Sequence, residues 1–385
     1  MRIAMIAPFG IRPKGTLLAR MLPLAQALTA RGHQPAIVAP PVHNPEDAGT
    51  SVVYDGVPVI HTAAPRLFGP AAVVAQSTTL LRAALAHKPH VLHLFKPKGF
   101  GGLAALAAAG LRPQLPLVLD SDDWEGPGGW NELLPYPPFA RTLFAWQERD
   151  LPRRAAAVTV ASRTLESLVW AMGVPPERVF YLPNGTPPPA DRVPSAARDH
   201  ATFLLYTRFW ELDVAELAAT LAAIHNARPD ARLIVIGRGE HGEERTLQGL
   251  MERAGCAAML DMRGWLAPQA IPAVLAEADL ALAPISDTLI NRTRGMAKLL
   301  ELMAAGLPIV AGDVGAARDY LGTSAGVLVS PGNPGALAAA ALGLLADPAR
   351  RTAIANAALQ AAERFRWERL APTAEDAYFC ALKRS

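Results

Sequence analysis

The feature that most constrains this chain is a repeated alternation of short apolar runs with longer amphipathic stretches. Ile3-Ala-Met-Ile-Ala7 is an unbroken apolar run, as a parallel strand buried on both faces should be. A Pro- and Gly-rich loop, Pro8 to Gly15, follows. Leu18, Met21, Leu22, Ala25 and Leu28 then recur at helical spacing. Thr16 is placed to N-cap that helix, and Gly32, in Arg31-Gly32-His33, to end it. The cycle repeats, with strands expected over 36–39, 57–60, 91–94, 117–119, 157–160 and 179–182. Strands alternating with helices specify a parallel sheet covered on both faces.

A Pro-rich polar stretch over 183–195 interrupts the pattern and reads as an interdomain linker. The alternation then restarts, with strands expected over 202–206, 232–236, 280–283, 309–311 and 326–328. A last amphipathic helix over 367–382 lies outside either series. For 385 residues, two domains is the natural count at roughly 100–200 residues each. The divisions expected are therefore 1–185, 186–366 and a C-terminal helix segment, 367–385. Doubly wound sheets bind ligands beyond the carboxyl ends of their strands, so two of them facing each other would share one site in the cleft between.

Composition removes several classes of function. Hydrophobic residues are 51% and charged residues 18% of the chain, which excludes a disordered protein. The net charge is only +3 and no Lys/Arg run occurs, so nucleic acid is not an expected partner. The two cysteines, Cys256 and Cys380, have no metal-ligand spacing; no metal is expected, and a reduced cytoplasmic location is. The first apolar run is broken by Pro8 and Gly10, unlike a signal peptide, and the apolar stretch 101–111 is too short to span a bilayer.

Four places carry chemistry. Lys298-Leu-Leu-Glu301-Leu-Met-Ala-Ala-Gly306-Leu-Pro308 reads as a helix ended by glycine and followed by a strand. Lys298 and Glu301 share a helix face, and by spacing alone they could be a surface ion pair. Asp120-Ser-Asp122-Asp123-Trp124-Glu125-Gly126 follows an expected strand and so faces the site. Crowded carboxylates there should raise at least one pKa unless cations compensate. Asp122, Asp123 and Trp124 could meet an acceptor or a sugar ring, or the aspartates could cap a turn through backbone amides. Lys96 and Lys98, in His93-Leu-Phe-Lys96-Pro-Lys98, could face phosphate, while His93 reads as a packed strand residue. In Lys14-Gly15-Thr16 the glycine permits close backbone approach and the helix start presents positive potential. Gly237-Arg-Gly239-Glu-His-Gly242 formally matches a dinucleotide fingerprint but lies deep in the second domain, so no NAD-type cofactor is expected.

The order of these stretches resembles glycosyltransferase family 4. The similarity covers the opening strand and loop, Arg31-Gly32-His33, the run 155–162 followed by Pro183-Asn184-Gly185, Ile234-Val-Ile-Gly237-Arg-Gly239, Ala278-Asp279-Leu-Ala-Leu-Ala-Pro284, the run 298–315 and Phe365-Arg-Trp367. The resemblance implies an α/β protein of the GT-B fold, two Rossmann-like doubly wound parallel-sheet domains facing a cleft. It implies a final helix that returns to the first domain and a hexosyltransferase that takes its sugar from a nucleotide-sugar donor. Retention of configuration is implied, with no cofactor beyond the substrate itself.

By that resemblance Glu301 binds the donor ribose, Gly237 belongs to the donor-side turn, and Arg208 grips the diphosphate. The family's partner lysine is replaced by Asp213, which makes Lys298 the expected substitute. The family's first motif glutamate is replaced by Thr293, with Arg294 beside it as a further donor contact. Asp122 stands where the family often has histidine. Catalytic roles are thus expected for Arg208, Lys298 and Asp122, donor contacts for Glu301, Arg294, Thr293, Gly15 and Gly237, and acceptor contacts for Asp123, Trp124 and Lys14. The acceptor could be a glycan, a lipid or a small molecule. Arg66-Leu67-Phe68 with Leu80-Leu81-Arg82 offers a peripheral membrane face, or an ordinary core helix. Two alternatives stay open: a nucleotide-sugar epimerase of GT-B architecture and a non-catalytic GT-B nucleotide-sugar-binding protein.

Overall fold

A computed structural model describes residues 1–12, 15–187 and 200–384. The chain divides into two compact units. The first comprises Met1–Gly185, Thr293–Gly295 and Trp367–Ser385, and the second Thr186–Arg292 and Met296–Arg366.

The first unit holds β1 (Arg2–Ile6), β2 (Gln34–Ala39), β3 (Ser51–Tyr54), β4 (Val57–His61), β5 (Val91–Phe95), β6 (Leu117–Ser121), β7 (Ala157–Val160) and β8 (Val179–Tyr181). They form one eight-stranded sheet in the order β3-β4-β2-β1-β5-β6-β7-β8, parallel except for the antiparallel pair β3–β4. The order reverses between β1 and β5, so the loops leaving these strands open the crevice where such sheets bind ligands. The strand β3 is absent from the sequence expectation because it is a four-residue edge with exposed valines. Its signal was the turn Asp55-Gly56, where both residues have positive φ, 46° and 86°, the hairpin geometry that Asp-Gly favours.

The second unit holds β9 (Thr202–Tyr206), β10 (Arg232–Ile236), β11 (Leu260–Gly264), β12 (Leu280–Ala283), β13 (Ile309–Gly312) and β14 (Val327–Val329). Its six strands run β11-β10-β9-β12-β13-β14, all parallel, and reverse between β9 and β12. The edge strand β11 mixes Asp261 and Arg263 with apolar residues, which hides it from a search for apolar runs. Gly237 ends β10 at φ +116°, and a Cβ there would stand 1.7 Å from the Thr207 carbonyl oxygen. The close approach of the β10 and β9 loops thus accounts for this glycine without any ligand.

Two elements complete the first unit. Trp367–Leu382 is a helix whose buried residues, Trp367, Leu370, Ala371, Ala374, Ala377, Tyr378 and Ala381, follow the 3.6-residue period. They join the core that contains Ile3, Met21, Leu28 and Val118. The small alanines let the helix lie close to its neighbours. Arg31 and His33 both pair with Glu375 of this helix, at 2.6 and 2.7 Å, so His33 is more than a helix terminus. Inside, His93 Nδ1 lies 2.9 Å from the Tyr378 hydroxyl.

The second element is a π-helical turn, Leu17–Met21, ahead of the α-helix Leu22–Ala30. Thr16 does not cap it as expected. Its backbone is already helical, and its hydroxyl donates to Asp122 Oδ2 at 3.0 Å. The wide turn aims Arg20 inward, where it is 1% exposed. Its guanidinium donates to both Asp120 oxygens at 2.8 and 2.7 Å, to the Leu182 and Pro183 carbonyls at 2.8 and 3.1 Å, and to Asn184 Oδ1 at 3.1 Å.

Burial of His93, followed by the Arg20 charge, pushes its imidazole down to about 3. The unfolded histidine titrates near 6.5, so stability is fully present above that pH and is lost as pH falls towards 3. This contributes a slope of up to about 1.4 kcal/mol per pH unit. His93→Gln is expected to flatten the fall in urea midpoint between pH 7 and 5. Parallel pH profiles for variant and parent would refute the assignment.

Candidate functional site

In the first unit the chemistry gathers where β6 ends. Asp120 pairs with Arg20 and accepts the Thr159 hydroxyl at 2.6 Å. The next turn carries Asp122, Asp123 and Glu125, and facing them from the end of β5 is Lys96. Its ammonium lies 3.0 Å from Asp122 Oδ1, 2.6 Å from Asp123 Oδ2 and 3.4 Å from Glu125 Oε1. Lys98 pairs with Glu125 Oε2 at 2.6 Å and sits over the rings of Phe9, Tyr136 and Phe144. Both lysines are buried. The sequence expectation that they face phosphate is therefore corrected: they neutralise the acidic turn.

The turn is not an amide-capped one. Asp122 is held by Lys96 and by the Thr16 hydroxyl. Burial alone would raise its pKa, but Lys96 and then Arg20 outweigh that and hold it below the ordinary carboxylate value. Trp124 packs into its own turn. Its indole N–H donates to the Pro127 carbonyl at 2.8 Å, and a Cβ at Gly126 would lie 2.3 Å from its ring. These contacts account for Trp124 without a sugar. Of the expected loop residues, Lys14 lies outside the described residues, and Gly15 is exposed, its carbonyl accepting the Ala19 N–H at 2.8 Å. Thr293 is fully buried, and its carbonyl accepts the Ser162 hydroxyl at 2.5 Å.

Sequence reasoning did not find Glu148. It lies on the helix Pro138–Arg154, is 1% exposed, and has neither carboxyl oxygen in a hydrogen bond of normal geometry. Burial and then the Glu125 charge push its pKa well above the usual carboxylate range. The helix register, with Gln147 and Glu148 both inward, was the available signal.

In the second unit the loop after β9 carries Arg208. Its guanidinium meets Glu240 Oε1 at 2.9 Å, both side chains being over 40% exposed. Asp213, where the family lysine is missing, N-caps the helix Val214–Ala227 by accepting from the Ala215 and Glu216 amides at 2.7 and 3.1 Å. Its carboxylate has a structural task there. Lys298 and Glu301 lie on the helix Ala297–Ala304. Lys298 pairs with Glu211 Oε1 at 3.4 Å and lies 5.3 Å from the centre of the Tyr206 ring. Glu301 bonds the Tyr206 hydroxyl, which helps burial keep that phenol protonated. In the loop just before this helix, Arg292 pairs with Asp287. Arg294, which belongs to the first unit, has no hydrogen-bond or ion-pair partner among the described residues, and its Nε is buried.

Two doubly wound domains with cations and carboxylates at the carboxyl ends of their strands define a glycosyltransferase of the GT-B class. The family model described as "Glycosyl transferase 4-like domain" matches residues 15–185, and that described as "Glycosyl transferases group 1" matches residues 201–347. The chain belongs to glycosyltransferase family 4, and the protein is an enzyme, a hexosyltransferase. It is 28% identical over 384 residues to the phosphatidyl-myo-inositol mannosyltransferase of Mycobacterium leprae, covering 95% of this chain and 93% of that protein. Among solved structures, sucrose-phosphate synthase of Thermosynechococcus elongatus matches with a TM-score of 0.77 at 19% identity, over 100% of both chains. Anabaena HepE, solved with UDP and glucose, matches with a TM-score of 0.72 at 17% identity, over 98% of both. At these identities the solved structures establish the fold.

The folded pKa of Glu148 is raised, so its contribution to stability is full below the unfolded value and is lost as pH rises above it. Glu148→Gln is expected to melt higher than the parent at pH 8, with the gain shrinking towards pH 4.5. An unchanged melting difference across that range would refute the titration of Glu148.

Proposed function

We propose that the enzyme transfers a hexose from a nucleoside diphosphate sugar, with retention of configuration, to a hydroxyl of a polyol-bearing lipid. Arg208, Lys298 and Arg294 hold the diphosphate and Glu301 the ribose. Asp122 and Asp123 lie on the reacting side. The observation that carries this reading is Arg294, a guanidinium with no hydrogen-bond or ion-pair partner among the described residues and a buried Nε, just ahead of the helix bearing Lys298 and Glu301. A planar fork of N–H donors suits a diphosphate. Arg208 is loosely held: an exposed pair such as Arg208–Glu240 is worth about 0–1 kcal/mol, so a phosphate readily displaces Glu240. As the sugar–oxygen bond breaks, negative charge builds on the departing diphosphate, and these donors bind it more tightly than in the ground state.

The nucleotide-sugar donor is supported by the UDP bound in HepE, and the lipid acceptor by the name of the mycobacterial relative. That relative is a transferase, which favours this reading over an epimerase or a non-catalytic binder. No helix among the described residues is long and apolar enough to cross a membrane. We place the protein on the cytoplasmic face, in peripheral contact. The basic-apolar face expected from sequence needs one correction: Leu80 and Leu81 are core residues, while Leu67 and Phe68 are exposed, Phe68 at 93%. The lipid-facing edge is therefore restricted to Arg66-Leu67-Phe68.

A thermal-shift screen of nucleoside diphosphates and their sugars should reveal the donor, since a ligand at 100 times its Kd adds about 2.7 kcal/mol of stability. With that donor, Arg294→Ala and Arg208→Ala are each expected to lower kcat/KM by about 10²–10³, the scale of losing one transition-state donor. Lys298→Ala should lower kcat, and Glu301→Ala should chiefly raise the donor KM, because the ribose is remote from the bond that breaks. Wild-type kinetics in Arg294→Ala would remove the observation on which the reading rests.

A further inference from the structure

Lys96 combines three properties seldom found together. It is buried, at 5% exposure. Its backbone is left-handed, φ +62°, a conformation that a non-glycine residue keeps only where the surroundings enforce it. Its ammonium touches three carboxylates of one turn. The backbone is enforced on both sides: the Lys96 N–H donates to the Asp120 carbonyl at 2.9 Å, and the Lys96 carbonyl accepts from the Lys98 N–H at 2.8 Å. The strain aims a charge into a turn that would otherwise fly apart. Lys96 and Lys98 supply two positive charges against the three carboxylates of Asp122, Asp123 and Glu125. Asp120 is matched separately by Arg20.

We propose that Lys96 is a positioning residue for glycosyl transfer: its ammonium fixes Asp122 and Asp123 relative to one another on the reacting side. This rests on the reading that the acidic turn meets the reacting sugar. Three contacts from one point set the spread of the carboxylates. The Thr16 hydroxyl on the other Asp122 oxygen then leaves that side chain one orientation. A shift of about 1 Å in such a group costs on the order of 10²-fold in rate. The charged and titratable groups facing Asp122 are Lys96 from the β5 loop, Arg20 from the π-turn, and Asp120, Asp123 and Glu125 from its own segment. Glu148 lies behind Glu125.

The decisive variant is Lys96→Arg, which keeps the charge but not its point-like reach. Turnover is expected to fall about 10–100-fold, with UDP or GDP affinity by calorimetry unchanged. In an Asp123→Asn background, Lys96→Gln preserves the local charge count. Measured against Asp123→Asn alone, it should fold normally, lose turnover and move the acid limb of the kcat/KM pH profile upward, because Asp122 has lost its main cation. A parent-like kcat and pH profile in Lys96→Arg, with the double variant matching Asp123→Asn alone, overturns the proposal. Asp122→Asn separates the two levels of argument. Full turnover there defeats the reading of the acidic turn itself. Lost turnover there, beside normal Lys96→Arg, defeats only the role of Lys96.

Discussion

The first unit is organised around the guanidinium of Arg20. A guanidinium has five N–H donors, and the five bonds described above use them all. Two go to the carboxylate that ends β6, two to the carbonyls that follow β8, and one to the side chain of Asn184. An unpaired charge at this depth would be strongly destabilising, of order 3–5 kcal/mol when one partner of such a pair is removed. The π-turn exists in this setting: an α-helical continuation would carry residue 20 to a different azimuth. One side chain thereby fixes the start of the first helix, the end of a central strand and the exit of the last strand. The acidic turn begins two residues beyond the aspartate it grips.

Charge is handled differently in the two units. In the first, Arg20, Lys96, Lys98, Asp120, Asp122 and Glu125 are buried and meet at fixed distances, so their geometry is stiff and their protonation is set by each other. In the second, Arg208 and Arg292 pair with exposed carboxylates. Such pairs exchange partners at small cost. A stiff arrangement suits groups that must point at a reacting centre, and an exchangeable one suits groups that must accept and release a charged product. Burial and the Glu125 charge push the Glu148 carboxyl above the usual carboxylate range, which opposes storing a further negative charge beside the stiff cluster.

Much of this was legible in the sequence. Apolar runs such as Ile3–Ala7 and Leu280–Ala283 announced buried parallel strands, and the period of Trp367, Leu370, Ala374 and Tyr378 announced the last helix. The strands β3 and β11 were hidden because edges expose one side and tolerate charge. The partners of the lysines were hidden for another reason. Lys96 and Lys98 stand 27–29 residues before the carboxylates they bond, and only the adjacency of β5 and β6 brings them together. The replacement of the family lysine by Asp213 read as a loss. It is equally the choice of a good capping residue, a distinction that only the backbone of the following helix can supply. Arg294 was named as one of several cations, and what singles it out is the pairing of its neighbours, which no spacing rule contains.

The last helix has a consequence for how the polypeptide is made. Apart from Thr293–Gly295, the first unit takes residues up to Gly185 and then the segment from Trp367, about 180 residues later. At about 5–20 residues per second on the ribosome, that interval is roughly 10–40 s. Throughout it the surface formed by Met21, Leu28 and Val118 lacks the helix that covers it. The nascent first half therefore waits, partly open, while the second half is translated. The core that contains Ile3, Met21, Leu28 and Val118 is completed only when Trp367–Leu382 emerges.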